Sequence, residues 1–303
     1  MNEKLFIEKI TPMLRQGSDV VIGPGDDCAV IDIGNTDRYL LYAVDQLISD
    51  IHYEYKNTDP IKAGAKLINR NISDIAAMGG LPAHAVVTVA IPNNDIDRIE
   101  RYYKGLTSEA DKWNVSICGG DFAKLKTPKL EVCTLSITGY VDKQKLCLRE
   151  NAKAGDALYA TGRFGDSFMS GHHLDFTPRI NEAQFLAGRY TDTMMDVSDG
   201  LLIDLGRLTE KSYVTISLEL DKILPRTSGL AIKNILSDGE DYELIFTVKP
   251  ENEKEMNELW QFKDVPLTKI GKVVPFNGMH VIDSESEEDL CSVYDIGWDH
   301  FNV

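Results

Sequence analysis

Carboxylates set in glycine-rich stretches are the first chemistry this chain offers. In GPGDDCAVI, residues 23–31, Asp26 and Asp27 stand side by side just ahead of an apolar run. Asp45 closes LLYAVD, Asp74 lies in NISDIAAMGG, Asp121 follows the glycine pair of ICGGDF, and Asp196 and Asp199 belong to MDVSDG. Such element ends and glycine turns are where functional groups are commonly displayed. If Asp27, Asp45, Asp74 and Asp196 converge, they need compensation. Two carboxylates about 4 Å apart repel by roughly 4 kcal/mol at an effective dielectric near 20. Oxygen ligands without histidine or cysteine suit magnesium or calcium. No D-x-D-x-D-G calcium loop occurs, which favours magnesium. Magnesium held by few carboxylates keeps waters and grips phosphate oxygens, so the acids point towards a nucleotide.

Plainer readings compete at several positions. Ser198 or Asp199 is a candidate N-cap for a helix beginning at Gly200. Asp74 could be a solvated helix face, although Ile72, Ile75, Ala76, Ala77 and Met78 around it are small or apolar. Gly119 and Gly120 offer either an anion nest for phosphate or a simple tight turn. The common nucleotide signatures are missing. There is no GxxxxGK[ST] loop, and GPGDDC is a near miss to GxGxxG that precedes a strand where it should follow one. The HRD and DFG elements of protein kinases are also missing.

The elements that must hold these groups follow from periodicity and punctuation. An amphipathic helix is expected over 3–15, and strands over 29–33 and 39–44 about the turn Gly34-Asn35-Thr36-Asp37. Asp59-Pro60 predicts a helix start, with the stop at Gly79-Gly80. A strand over 83–91, a helix from Asp95 to about Trp113, and strands over 115–118 and 130–141 complete the first half. A polar turn, NAKAGD, suggests a boundary near residue 150. Beyond it, strands are expected over 157–161, 194–197, 214–218, 243–248 and 268–274. Helices are expected over 165–172, 181–189, 201–211, 228–236 and 251–260. The fold class is α/β (α+β), with two mixed domains, 1–150 and 151–303.

Composition narrows the function classes. The chain has 303 residues, 43% of them apolar, which supports a substantial core. Its formal net charge of -16, with no long lysine-arginine cluster, argues against nucleic acid as a partner. Five scattered cysteines without CxxC spacing fit a reducing cytoplasm and argue against a zinc site. The N-terminal segment mixes acids with its apolar residues and does not read as a signal peptide. No apolar run approaches the roughly 20 residues of a membrane span.

Taken in order, GDDCAV, VDQLISDIHY, NISDIAAMGGLP, GGD, MDVSDGL, GEDYEL and GWDHF resemble the thiamine-monophosphate kinase family, whose fold is shared with aminoimidazole ribonucleotide synthetase. The resemblance spans nearly the whole chain. It implies ATP-dependent phosphorylation of thiamine monophosphate to thiamine diphosphate, with several magnesium ions. It also implies a homodimer built through the N-terminal domains, the C-terminal domain completing the nucleotide and substrate site. It assigns Asp27, Asp45, Asp74, Asp121, Asp196 and Asp199 to magnesium. Tyr103, Gly119, Gly120, Arg149 and Ser198 are assigned to ATP, and His52, Glu240 and Trp298 to the thiamine substrate. One departure stands out: Ala43-Val44 precede Asp45 where the family often has threonine, so a hydroxyl ligand is lost.

This chemistry needs no protein nucleophile, because a phosphate oxygen of the acceptor attacks directly. Arg149 is a candidate clamp for phosphate charge, against the reading of a surface ion pair. Trp298 could stack on the cationic thiazolium, or serve as a packed C-terminal anchor. Glu240 could face that charge, or be a solvated turn residue. His52 alone reads more simply as a packed histidine. Rival readings are another ATP-using member of the fold, such as aminoimidazole ribonucleotide synthetase, a magnesium-dependent phosphohydrolase, and a non-enzymatic divalent-ion module. GEDYEL and GWDHF favour the thiamine enzyme over the synthetase. No cysteine precedes Cys28, as a selenophosphate synthetase would require, and the chain ends in Phe301-Asn302-Val303 rather than the cysteine of a hydrogenase-maturation relative.

Overall fold

The computed structural model describes residues 3–92, 95–127, 130–294 and 297–298. The first half runs α1 (Glu3–Ile10), β1 (Val20–Ile22), β2 (Ala29–Asp32), β3 (Arg38–Ile48), α2 (Pro60–Ala77), β4 (Leu81–Ile91), α3 (Ile96–Lys112), β5 (Ser116–Lys124) and β6 (Val132–Asp142). The second runs β7 (Ala157–Thr161), α4 (Ser167–Ser170), α5 (His172–Asp175), α6 (Ile180–Leu186), β8 (Met194–Asp196), α7 (Leu201–Ser212), β9 (Val214–Leu218), α8 (Ile232–Ser237), β10 (Leu244–Val248), α9 (Pro250–Leu259), β11 (Leu267–Pro275), β12 (Val281–Asp283) and α10 (Leu290–Val293). Each half forms one six-stranded sheet, in the orders β1-β2-β3-β6-β4-β5 and β12-β9-β11-β7-β10-β8. Pairing is antiparallel except for one parallel pair in each sheet, β4 with β5 and β9 with β12.

Helix α2 lies at the centre of the arrangement. Asp59 starts it, its side chain accepting from the Ile61 amide at 2.9 Å, with Pro60 at the first position. Such a cap contributes about 1 kcal/mol. Asp95 starts α3 in the same way, accepting from the Arg98 amide at 3.1 Å. The two helices touch backbone to backbone. A Cβ on Gly64 would strike the Tyr102 carbonyl oxygen, and one on Gly105 would strike that of Ile61. Helix α2 is buried around most of its girth, as expected of a helix packed on two sides.

One apolar core runs from the inner face of the first sheet through α2 to one face of the second, where Tyr159, Met194, Leu244 and Phe246 meet it. The opposite face of the second sheet, with Leu158, Ala160, Met195 and Ile245, closes a second core against Leu202, Leu205 and Leu208 of α7. Strands β7 and β10 are therefore covered on both sides and read as the unbroken runs ALYAT and LIFTV. Among the described residues no helix is long and apolar enough to cross a membrane.

Several expectations are corrected. Strand β3 runs on to Ile48, so Asp45 sits inside it, opposite Leu135, rather than at its end. Gly119, Gly120 and Asp121 lie within β5, paired with β4, and form no turn. Gly120 suits that pairing, because a Cβ there would meet the Val87 carbonyl oxygen. The helix expected over 165–172 divides into α4 and α5 at Gly171, where φ is 81°. The first helix stops at Ile10, followed by a 3-10 turn.

Candidate active site

Three of the acids meet. One carboxylate oxygen from each of Asp27, Asp74 and Asp196 lies within 4.8 Å of the other two. Their elements explain the meeting: Asp27 comes from the loop before β2, Asp74 from the last turn of α2, and Asp196 from the end of β8. Burial, then Asp45 and Asp196, hold the Asp74 carboxyl well above the usual carboxylate range. Burial and then Asp27 do the same for Asp196, opposed by a hydrogen bond from Ser73 Oγ at 2.5 Å. Asp27 Oδ2 is buried and has no hydrogen-bond partner among the described residues. A buried carboxylate oxygen without a donor, beside two other carboxylates, fits an all-oxygen site for a hard cation such as magnesium.

The neighbouring Asp26 has a different task. It accepts the amides of Asp27 and Arg149, each at 3.1 Å, and pins the loop to the segment after β6. Burial first, and Asp27 second, push its carboxyl up to about 7. The Arg149 guanidinium pairs with Asp27 and lies 3.6 Å from Asp26. Its side chain is 13% exposed, so the reading as a surface ion pair falls away.

Asp45 stands close to the trio and pairs with Arg70 Nη2 at 3.2 Å. Its amide donates to Asn71 Oδ1 at 3.1 Å. Asp199 pairs with Arg207 at 2.7 Å. The expected cap of α7 by Ser198 or Asp199 is not formed; Gly200 takes the cap position without a side-chain bond. Instead the buried Asp204, one turn into the helix, accepts the amides of Ser198 and Asp199 at 3.0 and 3.1 Å, while Arg207 holds its other oxygen at 2.6 Å. The Ser198–Asp199 turn is thus fixed from below.

The same turn anchors two substrate candidates. Ser198 O accepts the Glu240 amide at 2.7 Å, and Asp199 O accepts the Trp298 amide at 2.9 Å. The Trp298 side of this turn is half-open, with the residue 39% exposed, so it is no core anchor. Glu240 is not a solvated turn residue either. It pairs with the fully buried Lys66 at 2.7 Å, and its backbone is left-handed at φ 64°. His52 is buried, and its Nδ1 accepts the Ile48 amide at 3.0 Å.

Three ATP candidates and one metal candidate stay outside the trio. Tyr103 is half-buried on α3. Gly119, Gly120 and Asp121 are exposed on the edge strand β5, and Asp121 stands opposite Thr88, on the sheet face turned away from α2. Of the terminal GWDHF motif, Asp299, His300 and Phe301 lie outside the described residues. Missed by the sequence reading were Lys66, Arg70, Ser73, Asp204 and Arg207. The available signal was spacing: Lys66, Arg70 and Asp74 recur every four residues along α2.

The chain is similar to known proteins over nearly its whole length. The family described as AIR synthase related protein, N-terminal domain, matches residues 25–141. The thiamine-monophosphate kinase of Rhodopirellula baltica is 33% identical over 91% of each chain, and that of Bacillus subtilis 29% identical over 99% of this chain and all of its own length. The solved structure of AaThiL complexed with AMPPCP and TMP is similar at a TM-score of 0.82, with 26% identity, covering 99% of this chain and 97% of its own. Likeness of this extent, along nearly the whole chain and across both sheets, has one consequence: the chain belongs to the thiamine-monophosphate kinase family.

Proposed function

We propose that the reaction of the family, ATP-dependent phosphorylation of thiamine monophosphate to thiamine diphosphate, takes place in this chain at the Asp27–Asp74–Asp196 cluster. The observation that carries this reading is the meeting of Asp27, Asp74 and Asp196, one carboxylate oxygen of each within 4.8 Å of the others, with Asp27 Oδ2 buried and unpartnered among the described residues. A solved relative complexed with AMPPCP and TMP supports it. Asp27, Asp74 and Asp196 would hold magnesium, which would supply positive charge to the phosphates of donor and acceptor. Asp45 and Asp199 border the cluster and are read as further oxygen ligands.

The chain's residues do the positioning. An oxygen of the acceptor phosphate attacks the γ-phosphorus, the bond to ADP breaks, and both products leave as phosphate esters with no protein-bound intermediate. Phosphoryl transfer of this kind depends on alignment and electrostatics. Arg149, fixed by Asp26 and Asp27, lends a buried cation beside the reacting phosphates. Asp204 and Arg207 hold the Ser198–Asp199 turn against ATP. Glu240 and Trp298, tied to that turn, face the cationic thiazolium and the aminopyrimidine, with His52 on the other side.

We read residues 1–150 as the ATP, magnesium and dimerisation part and 151–303 as the part that completes the site. The outer face of the first sheet supports a homodimer. Tyr42, Val44 and Val86 are exposed there, a patch of the kind that marks an interface. Asp121, Gly119 and Gly120 flank it, which fits a nucleotide site shared between copies. The five free cysteines fit a cytoplasmic protein.

The test is ADP release from ATP and magnesium, with and without thiamine monophosphate, alongside assay of thiamine diphosphate. Acceptor-dependent ADP with matching diphosphate is the expected result. ADP release that ignores the acceptor would make the chain a phosphohydrolase.

A further inference from the structure

Lys66 is a lysine with no exposed surface, in the middle of α2. Its ammonium group has three donors, and three acceptors surround it: His52 O at 2.6 Å, Glu240 Oε2 at 2.7 Å and His173 Nδ1 at 3.3 Å. These belong to three segments far apart in sequence: the turn after β3, the loop before β10, and α5. His173 is itself buried and packed against Phe168 at a tilt of 40°, with ring centroids 4.3 Å apart. Burial and the nearby Lys66 push its imidazole down to about 3, so the ring is neutral; its Nδ1 lies 3.3 Å from both the ammonium and Glu240 Oε2. Two donors go to His52 O and Glu240 Oε2 and the imidazole closes the third side, so the ammonium is enclosed by the protein.

We infer that Lys66 is a positioning residue for the thiamine half of the site, a three-way tie that fixes Glu240 against the His52 turn and leaves the other Glu240 oxygen for the substrate. The inference rests on the reading of Glu240 and His52 as substrate contacts. Three observations support the role. Among the described residues no hydrogen bond reaches Glu240 Oε1, and the side chain is 20% exposed, so one oxygen is held and the other is presented. The Glu240 backbone is left-handed, a conformation that persists in a non-glycine residue only when its surroundings enforce it. A buried lysine is expensive unless paired and fully hydrogen-bonded, and here it is both. Lys66 thereby sets the gap across which the aminopyrimidine and thiazolium must fit, without touching them.

The test compares wild type, Lys66→Met, Glu240→Gln and the double variant, reading KM for thiamine monophosphate, KM for ATP and kcat. The expected result is a rise of at least tenfold in the thiamine monophosphate KM for each single variant, with the ATP KM within about twofold of wild type. The double variant should be little worse than either single one, because both remove the same tie. A raised KM in Glu240→Gln with none in Lys66→Met overturns the Lys66 role and leaves the substrate reading standing. An unchanged KM in Glu240→Gln overturns both. A loss confined to kcat in Lys66→Met would mean that the ammonium acts on the phosphates, and would also overturn the proposal. If thermal melting shows Lys66→Met unfolded, Lys66→Gln, which keeps two N–H donors, is read by the same criteria.

Discussion

A carboxylate buried beside two others can lose its repulsion to a proton or to a cation. Asp74 and Asp196 are held well above their ordinary range by burial and then by neighbouring carboxylates, Asp45 and Asp196 for the first and Asp27 for the second, and Asp26 is pushed up to about 7. Carboxyls raised in the folded state contribute stability that is complete below their unfolded values, near 4, and is lost as pH rises through the folded values. The metal-free protein should therefore melt at progressively lower temperature between pH 5.5 and 8. Magnesium replaces the lost protons, so the gain in melting temperature on adding it should grow over the same interval. Ligand at a hundred times its Kd adds about 2.7 kcal/mol. Calorimetry in two buffers of different protonation enthalpy should show protons released on binding; a metal effect independent of pH, with no proton release, would contradict the cluster as the ion site. At the single residue, Asp74→Asn removes charge but little volume. Its kcat should fall by about 100-fold or more, while its metal-free melting temperature at pH 8 stays at or above that of wild type. Substantial activity at saturating magnesium would count against Asp74 as a ligand.

At the scale of elements, the turn before α7 is a half-buried joint of the site, and Asp204 is what stiffens it. Asp204→Asn keeps an acceptor for the Ser198 and Asp199 amides but turns a donor towards Arg207. The cost should be about 1–3 kcal/mol, visible as a lower melting temperature together with a higher KM for ATP. An unchanged ATP KM would mean that the turn does not depend on that carboxylate. The elements also show what the chain discloses locally. Helices α2 and α3 were legible because Asp59-Pro60 and Asp95 are caps that act within one turn. Strand β3 outran its expected end because its partner β6 continues pairing as far as Ile48 with Val132. The glycine pair in β5 reads as a turn until a neighbouring strand is there to press against it. The three-residue strands β1 and β12 carry too little periodicity to be seen at all. In the site, the acids announced themselves by type and setting. Lys66, Arg70, Asp204 and Arg207 did not, since a charged residue on a helix looks solvated until a second sheet covers it.

For the whole molecule, the open face of the first sheet is the surface on which the proposed homodimer is tested. Val44→Glu combined with Val86→Glu puts like charges where apolar side chains are exposed. Light scattering should show wild type as a dimer and the double variant as a monomer with the same far-ultraviolet dichroism. A double variant that remains dimeric would place the interface elsewhere. Within one copy, α2 has a further consequence. It carries Lys66 under the acceptor side and Asp74 in the carboxylate cluster, eight residues apart on one rigid helix. At 1.5 Å per residue that is about 12 Å along the axis. On the proposed reading of the site the helix is a ruler: it would set how far the ring of an acceptor stands from the place where its phosphate is extended, so that the substrate is measured by length as well as by charge.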